Sequence, residues 1–216
     1  MNADKKLQEI LKVSLKYFAR YGYKKTTMED IARELEMTKG ALYLYVKNKQ
    51  DLYEKTIAEN LIGWQSRVKE AVDKESNPIA KFVVLSFKAF QYLSENKDLR
   101  QVLVNNPEIF PIFDRHDPYS DINENSREMI KSILREGISQ KVFRDIDVDS
   151  IAWLAFSVYK MFIIDTYILS DKKTTWKLFQ DSVELAIHGL LKKPVDIQQL
   201  LIKKGGEIDN QKINLI

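Results

Sequence analysis

The stretch from Thr27 to Val46, "TMEDIARELEMTKGALYLYV", leaves the chain little freedom. Thr27 and Asp30 stand at capping-box spacing, which predicts a helix over Thr27 to Leu35. Glu36, Met37 and Thr38 separate it from a second helical pattern, Lys39 to Val46. A helix of barely two turns is not stable by itself, so its Leu42 and Val46 side must pack on neighbouring helices. The opposite side, with Lys39, Gly40, Tyr43 and Lys47, is then held outward. This is helix-turn-helix spacing. The steep crossing it requires needs a small residue at the contact, which Ala32 supplies, and apolar residues around it, supplied by Ile31, Leu35, Met37 and Leu42.

The rest of the chain reads as helix as well. Lys5 to Tyr21 carries Ile10, Leu11, Leu15 and Phe18 on one stripe and stops at Gly22, which suits a left-handed cap. Asn48 and Asp51 repeat the capping device ahead of a long helix to about Lys74, and Pro78 sits in the first turn of another that runs to about Glu95. Helical periods continue from about Asp121 to Gln140, from Asp149 to Ile168 and from Thr174 to Leu191. No stretch alternates as a strand, so the fold class is all-α. The segment "NNPEIFPIFDRHDPYSD" and a tail with Gly205 and Gly206 read as irregular, and neither a repeat nor a low-complexity segment is visible.

Composition excludes several kinds of chemistry. With no cysteine there is no disulfide, thiolate metal site or cysteine nucleophile, and a reducing cytoplasmic setting is compatible. The N-terminus lacks the continuous apolar run of a signal peptide. The longest apolar run, Ile151 to Ile164, is interrupted by Lys160 and falls short of the roughly 20 residues that span a bilayer. A membrane partner is therefore not expected. His116 lies near Asp114, Asp117 and Asp121, but without fixed ligand spacing these read as solvated turn formers, so no metal is expected. His188, among apolar residues, reads as a core or interface residue. Neither a Gly-rich phosphate loop nor a nucleophile motif occurs, so neither an enzyme nor a cofactor is expected. Net charge is only +3, and the first 55 residues hold the excess, 12 Lys plus Arg against 8 Asp plus Glu. A phosphate-binding patch and a solvated helical surface explain that asymmetry about equally well.

Between about Ile10 and Ile57 the sequence resembles the tetracycline-repressor-like (TetR) family of bacterial transcription regulators. The likeness is carried by a first helix ending in "GY", then by "TTMEDIA", then by "TKGALYLYVKNKQDLY". Glu36 departs from the pattern, because the family usually has Gly at that turn position. The resemblance implies a three-helix DNA-binding domain over 1–50, a helical effector-binding and dimerisation domain over 51–194, and a tail over 195–216. It implies phosphate contacts from Thr27, Tyr45 and Lys49. Thr38, Lys39, Gly40, Ala41 and Tyr43 would face the major groove, where Lys39 can donate to guanine O6 or N7 and Gly40 lets the backbone come close.

The expected partners are a palindromic double-stranded operator, a second copy of the chain and a small apolar or aromatic effector. The aromatic-rich middle suggests Phe87, Phe90, Phe110, Phe113, His116, Trp153 and Phe156 as effector contacts. Ile151 to Ile168 is apolar almost all round, and its Trp153 and Phe162, with Trp176, Phe179, Val183 and Ile187 of the next helix, are expected at a four-helix dimer interface. A second reading makes the chain a helical carrier of an apolar ligand with a merely structural N-terminus. Retention of a discrete palindrome from a pool of random duplexes separates the two.

Overall fold

The computed structural model describes residues 3–105, 117–164 and 172–193. Among these the chain forms α1 (Ala3–Lys25), α2 (Met28–Glu34), α3 (Lys39–Leu42), α4 (Lys49–Val72), α5 (Pro78–Glu95), α6 (Lys97–Asn105), α7 (Ser120–Ser139), α8 (Val148–Ile164) and α9 (Lys172–Leu190), so the all-α expectation holds. A single antiparallel bridge, Phe143 with Leu191, is the extended pairing among the described residues. No described helix is long and apolar enough to cross a membrane.

The helices sort into two compact units. The first holds residues 3–63 and 96–105, a longer and discontinuous segment than 1–50. Its core is Ile10, Leu11, Leu15 and Phe18 of α1 against Ile31, Leu42, Val46, Leu52 and Ile57. Phe18 meets Tyr53 edge-on at 4.9 Å, and Tyr23 meets the same ring at 4.9 Å. Helix α6 packs on α1 through Leu99, Val102 and Leu103, all buried. The sequence reading has no helix there. Its start is nonetheless marked by Asn96, whose Oδ1 accepts the Leu99 N–H at 3.0 Å, a cap that nine mostly polar residues make easy to overlook.

Gly22 interrupts α1 at φ 76 and ψ 163, where an L-residue is strained. A Cβ there would touch nothing within 4 Å, so it is the backbone conformation that calls for glycine. Helix α2 then ends in a Schellman motif: the Met37 N–H donates to the Ala32 carbonyl at 2.8 Å and the Glu36 N–H to that of Arg33 at 3.1 Å. Glu36 occupies the left-handed position, φ 52. The residue that departs from the family pattern thus adopts the conformation the usual Gly would take.

The second unit holds residues 64–95, 117–164 and 172–193. Helix α5 is its most buried element, packing on α7 and α9 through Val83, Phe87, Phe90 and Leu93. The end of α7 repeats the Schellman geometry, with Lys141 at φ 59 and the Val142 and Phe143 N–H groups both 2.9 Å from the Gly137 carbonyl. The Phe143 ring lies flat against Gly137, where a Cβ would be 2.0 Å from Cδ2. Val142 and Arg144 also tie this turn to the end of α9, by bonds of 3.0 Å with Lys192 and 2.9 Å with Leu190. The expected continuation of α8 to Ile168 and the tail 195–216 lie outside the described residues.

Candidate nucleic-acid interface

The helix-turn-helix is assembled from its caps outward. At the start of α2 the Thr27 hydroxyl accepts the Asp30 N–H at 3.1 Å, while Asp30 accepts the Thr27 hydroxyl proton at 2.6 Å and its N–H at 3.3 Å. That hydroxyl bond is the main cause holding the Asp30 carboxyl below its usual range. At the start of α3 the Thr38 hydroxyl accepts the Ala41 N–H at 3.1 Å. Asn48 Oδ1 caps α4 through the Asp51 N–H at 2.8 Å, but Asp51 accepts from the Lys47 N–H, also at 2.8 Å, one residue earlier than a capping box requires.

Helix α3 is shorter than the Lys39–Val46 expectation. Beyond Leu42 the bonds tighten to three-residue steps, Leu44 to Ala41 at 3.3 Å and Tyr45 to Leu42 at 3.0 Å, and the chain leaves as turns. Leu42 and Val46 pin this segment to the core, whereas Tyr43 is 42% exposed and Leu44 84% exposed. Lys39, Gly40, Tyr43, Leu44 and Lys47 are all exposed. A Cβ on Gly40 would meet only Thr38 Oγ1, at 3.9 Å, so nothing inside the protein needs a glycine there.

Of the three residues expected at phosphates, two have their donors committed within the protein. The Thr27 hydroxyl proton goes to Asp30. The Lys49 ammonium donates to the carbonyls of Tyr23 at 2.9 Å, Thr26 at 3.1 Å and Lys24 at 3.4 Å, and stands 4.5 Å from the centre of the Tyr23 ring. It caps the end of α1 across 26 residues of sequence, a relation that local patterns do not reveal. Tyr45, half-buried, makes no side-chain hydrogen bond among the described residues. Lys39 pairs with Glu29. Two further surface groups were not singled out as contacts in the sequence reading: Lys47, whose ammonium has no ion-pair partner among the described residues, and the exposed apolar Leu44.

The residues expected at an effector divide. Phe87 and Phe90 are fully buried in a ring cluster with Trp176, Phe179 and Phe162, in which Phe90 stacks on Phe179 at 4.7 Å. Phe156 is buried too, with the Arg127 guanidinium 5.8 Å and the Lys160 ammonium 5.2 Å from its ring. Lys160 is pulled below its ordinary pKa, chiefly by desolvation. Trp64 stacks on Tyr92 at 5.9 Å and is buried, with its indole N–H lacking a hydrogen-bond partner among the described residues. Phe110, Phe113 and His116 lie outside the described residues.

The expected dimer residues need a correction of face. Phe162 of α8 and Trp176, Phe179, Val183 and Ile187 of α9 are buried within one chain, and Phe179 meets Phe87 of α5 and Phe162 of α8 edge-on, at 5.6 and 5.5 Å. Among the described residues the exposed large apolar side chains of these helices are Trp153, Leu154 and Met161 on α8 and Leu178 and Leu185 on α9.

Residues 10–56 match the family described as bacterial regulatory proteins, tetR family. The chain is 28% identical over 162 residues to the HTH-type transcriptional repressor KstR2 of Mycolicibacterium smegmatis, covering 70% of this chain and 78% of that one. It is 23% identical over 191 residues to the fatty acid metabolism regulator protein of Bacillus subtilis, covering 87% and 97%. The crystal structure of the Bacillus subtilis regulator FadR in complex with stearoyl-CoA superposes with a TM-score of 0.70 at 20% identity, over 85% of this chain and 98% of that one, a likeness of fold. These relatives are named as a transcriptional repressor and a metabolic regulator.

Proposed function

We propose that the chain, whose residues 10–56 match the family of bacterial regulatory proteins, tetR family, is a DNA-binding homodimeric repressor released from a palindromic operator by a small apolar or aromatic effector. The observation that carries the reading is the pinned recognition element, in which buried Leu42 and Val46 fix the backbone while Gly40, Tyr43, Leu44 and Lys47 stay on the surface. In the proposed complex Lys39 and Tyr43 read base edges, Leu44 offers an apolar contact to a thymine methyl, and Tyr45 and Lys47 bind phosphates. Thr27 and Lys49 act from inside by fixing the helices that present these groups.

The effector proposal rests on the second unit. Two cations over the Phe156 ring and the unsatisfied Trp64 N–H favour an apolar molecule with an anionic end. The complex of the Bacillus subtilis regulator FadR with stearoyl-CoA is in keeping with this class. Helix α4 gives residues 49–63 to the first unit and 64–72 to the second, so an effector that shifts α4 has a covalent route to the reading head. The effector acts only through its different affinity for the two states, a coupling of typically about 1–3 kcal/mol.

The test is selection of duplexes from a random pool at physiological salt, followed by sequencing. Recovery of one palindrome with half-sites about a helical turn apart is the expected result. Salt-sensitive retention of any duplex, or of none, returns the chain to the apolar-carrier reading.

A further inference from the structure

We infer that Glu29 is a specificity-determining residue of the reading head, holding Lys39 at the front of the recognition element and denying that ammonium to phosphates. The inference rests on the DNA-binding reading above.

Glu29 lies in the first turn of α2 and Lys39 opens α3, and the Lys39 ammonium donates to Glu29 Oε1. Glu29 is not needed where it starts. The cap of α2 is completed by Thr27 and Asp30, and Asp30 also takes the Arg33 guanidinium at 3.0 Å. Among the described residues no other acid pairs with Lys39, and both members of the pair are about half exposed. Exposed pairs of this kind contribute little to folding. A carboxylate on a face that must approach a polyanion also costs affinity for DNA. Its presence there makes sense as discrimination.

The chemistry favours one kind of target. An ammonium has three donors, of which Glu29 takes one and leaves two. A guanine edge offers the neutral acceptors O6 and N7 and can share Lys39 with the carboxylate. A phosphate oxygen approaching the same ammonium meets the negative charge of Glu29. The pair therefore penalises backbone contacts that carry no sequence information and spares the base contact that does. In keeping with this, the bond to Lys39 is the main cause holding the Glu29 carboxyl below its usual range, so it is charged at neutral pH.

The experiment uses the full chain and two duplexes of equal length and composition, the selected operator and its scramble. Anisotropy titrations at several salt concentrations compare wild type, E29Q, K39A and E29Q/K39A. E29Q is expected to bind the scrambled duplex roughly fivefold more tightly, with its log–log salt slope steeper by about 0.9, the signature of one more phosphate contact. Operator affinity changes less than twofold, so the specificity ratio falls. In the K39A background E29Q shifts both duplexes alike, through the loss of a negative charge, and leaves the ratio unchanged. A preserved ratio in E29Q overturns the role of Glu29 alone, as does a fall in the ratio that persists without Lys39. A wild-type protein with no preferred duplex overturns the regulator reading and this inference together.

Discussion

The Lys49 ammonium sits 2.9 Å from the Tyr23 carbonyl oxygen and 4.5 Å from the centre of the same residue's ring, so one side chain closes the end of α1 from the start of α4. Removing it strands three carbonyl groups. Lys49→Ala is predicted to lower stability by about 2 kcal/mol, in the range of hydrogen bonds to charged groups, and to leave the salt slope of DNA binding unchanged. Lys47→Ala has the reverse profile: unchanged stability, weaker binding to every duplex and a slope flatter by about 0.9. Urea unfolding and anisotropy titrations read the two quantities separately.

Gly40 gives a second separation of fold from contact. Because an added methyl meets nothing closer than 3.9 Å, Gly40→Ala should unfold at the same or higher urea concentration. If the backbone here comes against base edges, operator affinity falls about tenfold, near 1.4 kcal/mol. Undiminished affinity shows that this turn stays clear of the groove.

Glu36 holds a left-handed conformation at φ 52 in the turn between α2 and α3. Glu36→Gly removes a Cβ penalty of about 1–2 kcal/mol, partly offset by the greater freedom of glycine in the unfolded chain. A net rise in stability of up to about 1 kcal/mol is expected in thermal unfolding. A loss would show that Glu36 makes contacts worth more than the strain.

The capping carboxylate sets an acid limit. Asp30 is held below its usual pKa mainly by the Thr27 hydroxyl, then helped by the Thr27 N–H and Arg33. A depressed folded pKa contributes stability that is fully present above the unfolded value, near 3.9, and is lost as pH falls through the folded one. The stability advantage of wild type over Asp30→Asn is therefore constant at neutral pH and shrinks below about pH 4. Urea midpoints measured from pH 7 to pH 3 give the curve, and a gap that widens toward acid contradicts it.

Leu185, 74% exposed on α9, and Trp153, 62% exposed on α8, test the proposed dimer. Leu185→Glu and Trp153→Glu leave the single-chain core untouched, so the monomer's secondary structure should persist. Sedimentation is expected to shift from dimer to monomer at micromolar concentration, and operator affinity should fall with it. Variants that remain dimeric place the interface elsewhere.

What could be read from the sequence followed the reach of the physics behind it. The caps Thr27–Asp30 and Asn48–Asp51 are written within four residues, because capping is a local exchange of hydrogen bonds. Periodicity also located the apolar stripe of α9 and the all-round apolar character of α8. It could not say what covers them, and Trp176 and Phe179 turned out to face Phe87 and Phe90 of the same chain. The engagement of Lys49 by Tyr23 and of Lys39 by Glu29 joins residues 26 and 10 positions apart, which no local pattern encodes. Helix α6 was missed for another reason: its apolar stripe of Leu99, Val102 and Leu103 is interleaved with charge over nine residues.

The recognition element closes as an α-helix only from Lys39 to Leu42. So short a piece has no independent existence, and its shape is borrowed from Ile31, Ala32 and the other residues that bury Leu42. Excised as a peptide, it would lose the outward pose of Tyr43 and Leu44. Transplanting the proposed sequence preference into another protein therefore means moving α1, α2 and the opening turns of α4 together with the few exposed side chains of this segment. Swapping those side chains alone would carry the letters without the grammar.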